Sequence, residues 1–284
     1  MRVTFLRFVS IATFALSPAI GLCTPVAALT ASRLSGPTPL AVFFDAAGST
    51  DTVSSVDAFR QNGYQFNFND PNSGTWAISG LSKNLQTGAP LAAHVFDTAG
   101  TYTVQVTAMN SAGTTSTASV TITVQSADTF YAGTNTVCLS RNTDFTGCPS
   151  GAQQSANVSA WPAFQNAKRY LLHAGQNFTA LGNASINGPG GAGGTALHDW
   201  QLGSFGTGAQ PVVATLNVDP GVVQGWTSAE WTGGGNNVVM NLNMTGLVQG
   251  VLTKHFLVYN NTSSGYIQIS NAFEYAVHND TVTA

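Results

Sequence analysis

Short runs of alternating apolar and polar residues fill the first half of the chain, between residues 29 and 125. They lie at residues 40–44, 64–68, 101–107 and 119–124, with β-branched or aromatic residues at the apolar positions. Turn-forming residues separate the runs, and no helical period interrupts them. This period-two pattern predicts short, half-buried strands, and so many strands in about 95 residues predict a β-sandwich.

An internal repeat marks the second half of the chain. Three short segments align with apolar residues first, Asn fourth and Thr sixth; they are residues 240–245, 257–262 and 276–281, so the second step is slightly longer than the first. Units this short cannot bury a face alone, so the repeat predicts stacked solenoid coils. The alignment predicts an asparagine ladder of Asn243, Asn260 and Asn279. Chance alignment of short Asn-rich strands is the alternative.

Three other segments of the second half carry local signals. The first part of residues 161–178 is the one place where we expect a helix in the mature chain, and it is short. The glycine tract at residues 188–194 predicts a turn and not a phosphate-binding loop, because no Lys-Ser or Lys-Thr follows it. Residues 201–213 predict a strand, a Gly-rich corner and a second strand.

Only 7% of the 284 residues are charged, with 9 Lys and Arg against 12 Asp and Glu. Solvated helices use Glu and Lys on their outer faces, so this composition argues against a helical protein. An apolar content of 43% and a net charge of −3 argue against disorder. The cations are scattered without a run of Lys or Arg, so nucleic acid is not an expected partner. Neutral Asn, Thr and Gly on stacked strands account for the low charge.

Residues 1–28 have the pattern of a secretory signal peptide. A short basic region precedes an apolar run at residues 8–23, and small residues lead to a cleavage position after Ala28. The run is shorter than the roughly 20 residues of a membrane-spanning helix, and no later stretch approaches that length. A lipid anchor at Cys23 is the alternative, although Leu22 is larger than a lipobox prefers. We therefore expect a protein that is secreted, extracellular or on the cell surface, without a membrane span.

Two cysteines remain once the signal peptide is removed. Cys138 and Cys148 are close in sequence, and in an exported chain such a pair predicts a disulfide worth roughly 3 kcal/mol. A zinc site would need more thiols or histidines at ligand spacing, and the sequence around the pair offers none.

Three ordered motifs in the first half resemble the PKD (polycystic kidney disease) domain family. They are residues 36–51, 66–70 and 94–107, the last followed by Asn-Ser-Ala-Gly at 110–113. The resemblance implies an immunoglobulin-like β-sandwich at residues 29–125, of the kind that serves as a spacer or binding module in extracellular proteins. The family's Trp-Asp-Phe-Gly-Asp-Gly is replaced by Phe-Asn-Phe-Asn-Asp-Pro at residues 66–71. A different turn is therefore expected there, lengthened by an insertion at residues 73–87.

Carboxylates near loop ends of this half are candidate ligands for a calcium ion. Asp45, Asp51 and Asp70 supply the hard oxygen ligands that Ca²⁺ takes. The competing interpretation, which we favour, is that they cap turns by binding backbone amides. His94 lies where the family keeps a histidine, and for it we expect a structural hydrogen bond.

Three segments of residues 126–284 resemble the opening coils of right-handed parallel β-helix proteins of the pectate-lyase-like group. They are residues 136–151, 168–178 and 203–213. The resemblance implies the fold and, more loosely, association with polysaccharide, because the same fold also serves adhesins and surface proteins. Polysaccharide lyases of this fold use a cationic base and acidic residues, often with calcium, to bind a uronate.

A group of ionic residues near the last coils is the best catalytic candidate. The offset between the second and third repeat segments places Glu274 one coil from His255, and Asp280 one coil from Asn261. The candidate catalytic residues are Lys254, His255, Glu274, His278 and Asp280, which could do acid/base work or hold a metal. Surface decoration of a solenoid explains them as well, and we favour it.

Three tryptophans, Trp200, Trp226 and Trp231, are candidates for stacking on sugar rings, with core packing as the favoured alternative.

The sequence ends directly after a repeat. Because solenoids need caps, we expect either further coils in a longer chain or a partner docked on the last coil.

The expected fold class is therefore all-β: an immunoglobulin-like, PKD-like sandwich plus a partial right-handed parallel β-helix. The expected domains are a signal peptide at residues 1–28, the sandwich at 29–125 and the β-helix at 126–284. The expected function is polysaccharide binding or a structural role in a secreted or surface protein, without a complete active site. The alternative is a polysaccharide lyase or glycoside hydrolase whose catalytic coils are partly missing, so enzymatic activity stays undecided. The sequence establishes no cofactor, and calcium is the candidate.

Overall fold

The computed structural model describes residues 24–51, 63–187, 198–219, 237–251, 255–270 and 274–283. Within these ranges the chain is nearly all β, as the composition predicts. The signal-peptide prediction falls mostly on residues 1–23 and the glycine-tract prediction on residues 188–194, both outside the described residues. None of the helices found in the described ranges is long and apolar enough to cross a membrane.

The described residues between 24 and 125 form two sheets packed face to face, which we call the sandwich. Its strands are β1 (Thr30–Ala31), β2 (Ser35–Pro37), β3 (Leu40–Asp45), β4 (Gly63–Asn67), β5 (Leu85–Gly88), β6 (Leu91–Phe96), β7 (Gly100–Met109) and β8 (Thr115–Gln125). One sheet has the order β1-β3-β6 and the other β2-β8-β7-β4-β5. Alternate residues of β4 and β7 are buried, as period-two patterning requires, and Phe44, Phe66 and Phe96 lie in the core between the sheets.

The described residues between 136 and 283 form three parallel sheets, which we call the coil region. Its strands are β9 (Thr136–Leu139), β10 (Gln153–Ser155), β11 (Arg169–His173), β12 (Ala184–Asn187), β13 (Gln201–Phe205), β14 (Val212–Val213), β15 (Leu216–Asp219), β16 (Asn237–Met240), β17 (Asn243–Met244), β18 (Val248–Val251), β19 (Phe256–Tyr259), β20 (Thr262–Ser263), β21 (Ile267–Ser270), β22 (Ala276–His278) and β23 (Thr281–Val282).

The sheet orders of the coil region show a parallel β-helix. The long sheet has seven strands in the order β10-β9-β11-β13-β16-β19-β22, and two four-stranded sheets have the orders β12-β15-β18-β21 and β14-β17-β20-β23. From β13 onward, successive strands belong in turn to the long sheet, the β14-β17-β20-β23 sheet and the β12-β15-β18-β21 sheet. A single apolar cluster fills the space that the sheets enclose. The predicted all-β fold class, a sandwich followed by a parallel β-helix, is confirmed.

The asparagine ladder exists, but its first member differs from the prediction. Strand pairing places Val238 beside Leu257 and Leu257 beside Ala276, so the two steps are equal in length. The stacked asparagines are Asn241, Asn260 and Asn279, with φ of 57°, 52° and 57°. Asn tolerates this left-handed conformation better than other non-glycine residues, which explains its recurrence at the corner.

Asn243 lies just beyond this corner and pairs with Thr262 in the next coil. The shorter first step that the sequence alignment predicts was therefore wrong. A side-chain bond of the true ladder runs from Asn260 Nδ2 to Asn241 Oδ1, at 2.7 Å.

The helix expected in the first part of residues 161–178 was also wrong. Residues 161–165 have no regular structure, and the segment directly before Ala174 forms strand β11 instead. Trp161 and Phe164 pack against the coil core, which favours a chain that follows the core surface over a helix. The described residues contain one α-helix, α1 (Ala127–Phe130), between the sandwich and the coils, and Ser126 caps it. Short 3₁₀ helices lie at Pro71–Ser73, Gly133–Asn135 and Thr179–Leu181.

The sandwich packs its β3–β6 sheet on the outer face of the long parallel sheet. Ala41 forms an apolar cluster with Val238 and Leu257 of the coils. At one side of this contact, Gln201 Nε2 donates to the Thr38 carbonyl over 3.2 Å. This arrangement leaves a groove at the other side, beside strand β22.

Candidate ligand-binding groove

The groove is a cavity of about 200 Å³ between the sandwich and the last described coil. Strands β3 and β6 and the loop after β4 form one wall, and β22 with the residue before it forms the other. The side chains that give the groove its chemistry are Trp76, Lys83, His94, Asp97, Tyr275 and His278. Apolar residues between them, such as Ala41 and Val95, belong to the contact between sandwich and coils.

Trp76 and Lys83 reach the groove on the insertion that follows strand β4. The 3₁₀ helix Pro71–Ser73 begins the insertion, and Gly74, with φ of 76°, turns the chain after it. The backbone N–H of Trp76 donates to the Leu81 carbonyl, and the backbone N–H of Lys83 donates to the Gly74 carbonyl over 2.9 Å. These backbone bonds close the loop and hold the indole at the groove, where 48% of Trp76 stays exposed.

The coil wall presents two more rings. His278 stacks on Tyr259 of the preceding coil, with ring centroids 5.7 Å apart and planes 7° apart. The edge of the same imidazole meets Trp76 across the groove at 6.0 Å. Tyr275, at the entrance, is 47% exposed. Two half-exposed aromatic rings therefore flank a polar centre.

Lys83 connects the two walls. Its Nζ lies 3.4 Å from Asn279 Oδ1 on the coil and 5.2 Å from the centre of the Trp76 ring. An ammonium over an indole face is a favourable cation–π contact. Asp97, also on the sandwich wall, accepts a hydrogen bond through its carboxyl group from the Tyr259 hydroxyl of the coils.

Partial burial changes how the groove side chains titrate. Burial, with a smaller contribution from the positive charge of Lys83, lowers the pKa of His278 to about 4. Burial, aided by the charge of Asp97, raises the pKa of Tyr259 to about 12. Burial also raises the pKa of Asp97, although the hydrogen bond from Tyr259 opposes this change. Near neutral pH the imidazole and the phenol are therefore both uncharged.

A buried pair lies behind the groove. His94 Nε2 is 2.9 Å from Asp70 Oδ2, and the His94 ring stacks on Phe68 at 4.3 Å. Burial lowers the pKa of His94 more than its bond to Asp70 raises it, so the imidazole is neutral and donates its N–H to the carboxylate. This is the structural hydrogen bond expected for His94.

The three calcium candidates do not form a cluster. Asp45 Oδ1 accepts the Ala47 N–H at 2.7 Å, which is the turn-capping role. Asp51 Oδ1 lies 3.4 Å from Asn110 Nδ2, and Asp70 is paired with His94. No group of three His, Cys, Asp or Glu side chains suited to a metal occurs in the described part of the chain.

The candidate catalytic residues separate into two groups. His255 and Glu274 form an ion pair at the corner before strands β19 and β22, and Lys254 lies outside the described residues. Beyond those strands, Asp280 Oδ1 accepts from the backbone N–H and the side-chain amide of Asn261, each at 2.8 Å. Glu274 thus lies one coil from His255, and Asp280 one coil from Asn261.

Among the candidates that the structure describes, His278 lines the groove, where it faces Trp76. Its contact with Asp280 is the bond from its own backbone N–H to Oδ2. The His255–Glu274 pair and the hydrogen bonds of Asp280 support a structural role for these three residues.

Trp200 is fully buried in the coil core and packs 6.3 Å from Phe256. A buried indole cannot stack on a sugar, so its sugar-binding candidacy was wrong and core packing is its role. Trp226 and Trp231 lie outside the described residues.

The predicted disulfide between Cys138 and Cys148 is confirmed, with Cα atoms 6.2 Å apart. Cys138 lies on β9 and packs with Leu171 and Phe205, so the bond holds the following loop against the outer face of the long sheet. Nearby, His173 Nε2 lies 3.3 Å from Asp144 Oδ2 of that loop.

Sequence reasoning missed Trp76, Lys83, Asp97 and Tyr275. The insertion at residues 73–87 was the available signal, because it departs from the PKD pattern and carries an exposed tryptophan.

A known protein family matches the part of the chain that forms the sandwich. Residues 27–124 match the family model of the PKD domain, and the two packed sheets in this part of the chain agree with the immunoglobulin-like sandwich that the motifs imply. The match does not extend to the coil region.

One solved structure that the chain resembles is titled as a study of the promiscuous specificity of carbohydrate-binding modules from the β-sandwich superfamily. The two share 25% identity with a TM-score of 0.29, over 37% of this chain and 35% of the other. The matched part thus spans about a third of that structure's length. Comparison with curated proteins finds no match.

Proposed function

We propose that this is a secreted or cell-surface protein that binds extracellular polysaccharide in the groove between its PKD domain and its coils. The observation that carries the proposal is the pair of half-exposed rings, Trp76 and Tyr275, on either side of a polar centre. Ligand sites combine apolar and aromatic walls with a few placed polar groups, and sugar rings offer apolar faces to aromatics and hydroxyls to polar groups.

The proposal takes residues 1–28 as a signal peptide, 29–125 as the PKD domain and 126–284 as a β-helix of the pectate-lyase-like kind. The disulfide supports export, because such bonds persist in oxidising compartments. Export places the groove where extracellular polysaccharides occur.

Lyase or hydrolase activity is the competing function. Glycoside hydrolysis needs two carboxyl groups across the scissile bond. Among the described groove residues, Asp97 supplies one carboxyl group at the surface. The nearby carboxyl group of Asp70 is buried against His94. This arrangement favours binding over chemistry.

Incubating the purified protein with a panel of polysaccharides, with and without calcium, separates these functions. Retention on a glycan without products is expected. Unsaturated products that absorb in the ultraviolet would identify a lyase, and new reducing ends without that absorbance a hydrolase. Absence of both retention and products would refute the carbohydrate proposal and leave a structural role.

A further inference from the structure

The charges around the groove are nearly balanced. Lys83 contributes one ammonium and Asp97 one carboxyl group, both from the sandwich wall. The two imidazoles that line the groove, His94 and His278, are neutral near pH 7. A ligand that carries a charge of either sign would therefore meet one like charge at short range, in a partly buried site where screening by water is weak.

The hydrogen-bonding groups of the groove are mixed donors and acceptors. A neutral imidazole such as His278 offers one N–H donor and one acceptor nitrogen, Lys83 offers donors only, and Asp97 offers acceptors. Hydroxyl groups both donate and accept, so they can satisfy all three. A carboxylate only accepts hydrogen bonds, so it could use Lys83 but would be repelled by Asp97.

Lys83 is also already engaged. It lies over the Trp76 ring and beside Asn279 Oδ1, so an acidic ligand would have to compete with both contacts. The exposed surfaces of Trp76 and Tyr275 instead favour a ring with an apolar face.

We propose that the groove binds an uncharged sugar unit of a neutral glycan, stacked on Trp76 and hydrogen-bonded by Lys83, Asp97 and His278, and that it discriminates against uronates. The proposal rests on the proposed function, polysaccharide binding in this groove. It adds the chemical class of the sugar and assigns the discrimination to Asp97.

The test is calorimetric titration of the full chain with matched oligosaccharides of a neutral β-glucan and of polygalacturonate, at 20 and 500 mM NaCl. We expect the neutral oligosaccharide to bind at least tenfold more tightly, with less than a twofold change in Kd between the two salt concentrations. Asp97→Asn should strengthen binding of polygalacturonate while not strengthening that of the glucan. Ile78→Ala, on the same loop but fully exposed at its tip, is the matched control.

The outcomes separate the two proposals. Tighter binding of polygalacturonate, weakened by Trp76→Ala and by salt, would overturn the neutral-sugar proposal while leaving polysaccharide binding in place. Glucan binding that Trp76→Ala leaves unchanged would overturn both proposals for this groove, and so would failure of both ligands to bind. Circular dichroism and thermal unfolding of each variant show whether a lost interaction reflects the groove or the fold.

Discussion

Replacing Asn260 with alanine tests the corner geometry that sets the register of the coils. Asn260 has a φ of 52° and donates through Nδ2 to Asn241 Oδ1 over 2.7 Å. Alanine in the left-handed region costs about 1 kcal/mol more than asparagine, and the lost hydrogen bond on an exposed corner costs about 0.5–1 kcal/mol. The substitution should therefore destabilise the protein by about 1.5–2 kcal/mol.

Thermal unfolding measures this change. For a unit of about 150–250 residues each 1 kcal/mol lowers Tm by about 2–4 °C, so Asn260→Ala should lower it by about 3–8 °C. Asn260→Gly removes the hydrogen bond but tolerates the positive φ, so it should cost about half as much as alanine. Asn243→Ala, outside the ladder, is the control and should shift Tm by less than about 2 °C. An equal loss for the alanine and glycine variants, or a larger loss at Asn243, would refute the corner reasoning.

Three other predictions concern the core, the disulfide and the groove histidine. Trp200→Ala should cost about 3–5 kcal/mol in denaturant unfolding, because it empties a buried indole site; a loss below about 1 kcal/mol would contradict core packing. Replacing Cys138 and Cys148 together with serine should cost about 2–4 kcal/mol in the same assay without reductant. Because burial lowers the pKa of His278 to about 4, the unfolded chain binds a proton first as pH falls below 6.5, and stability declines down to about pH 4. His278→Gln should flatten that decline. An unchanged slope of stability against pH in the variant would contradict a lowered pKa for His278.

The sandwich could be predicted in detail because its strands bury alternate residues. In β7, for example, Tyr102, Val104 and Val106 point into the core while the residues between them face solvent. The PKD motifs then indicated an immunoglobulin-like sandwich at these residues. The coil repeat was visible for the related reason that stacked strands repeat their apolar positions.

The register of the asparagine ladder could not be predicted from the residue types alone. Asn241 and Asn243 both fit an Asn-rich repeat, and only the left-handed backbone at Asn241 distinguishes them. The αL corner is a property of the coil geometry, and an alignment of short segments contains no information about it.

The groove could not be predicted from the sequence for a different reason. Trp76 and His278 are far apart in the sequence, and they meet because the sandwich packs its β3–β6 sheet on the long parallel sheet. Because charged residues are rare in this chain, the sequence favoured the ionic residues of the last coils as site candidates instead. In the structure, His255 is paired with Glu274, and Asp280 is hydrogen-bonded to Asn261, each contact joining two neighbouring coils.

Titration of the protein and its Trp76→Ala variant with a neutral glucan oligosaccharide tests glycan binding in the groove most directly. Trp76 is 48% exposed, which leaves roughly 120 Å² of a large aromatic side chain open. A sugar that covers half of that area removes about 60 Å² from water, worth about 1.5 kcal/mol, or roughly a tenfold change in Kd. We predict a Kd about tenfold weaker for Trp76→Ala and within twofold of the parent for Ile78→Ala. Equal affinities for the parent protein and Trp76→Ala would contradict glycan binding in this groove.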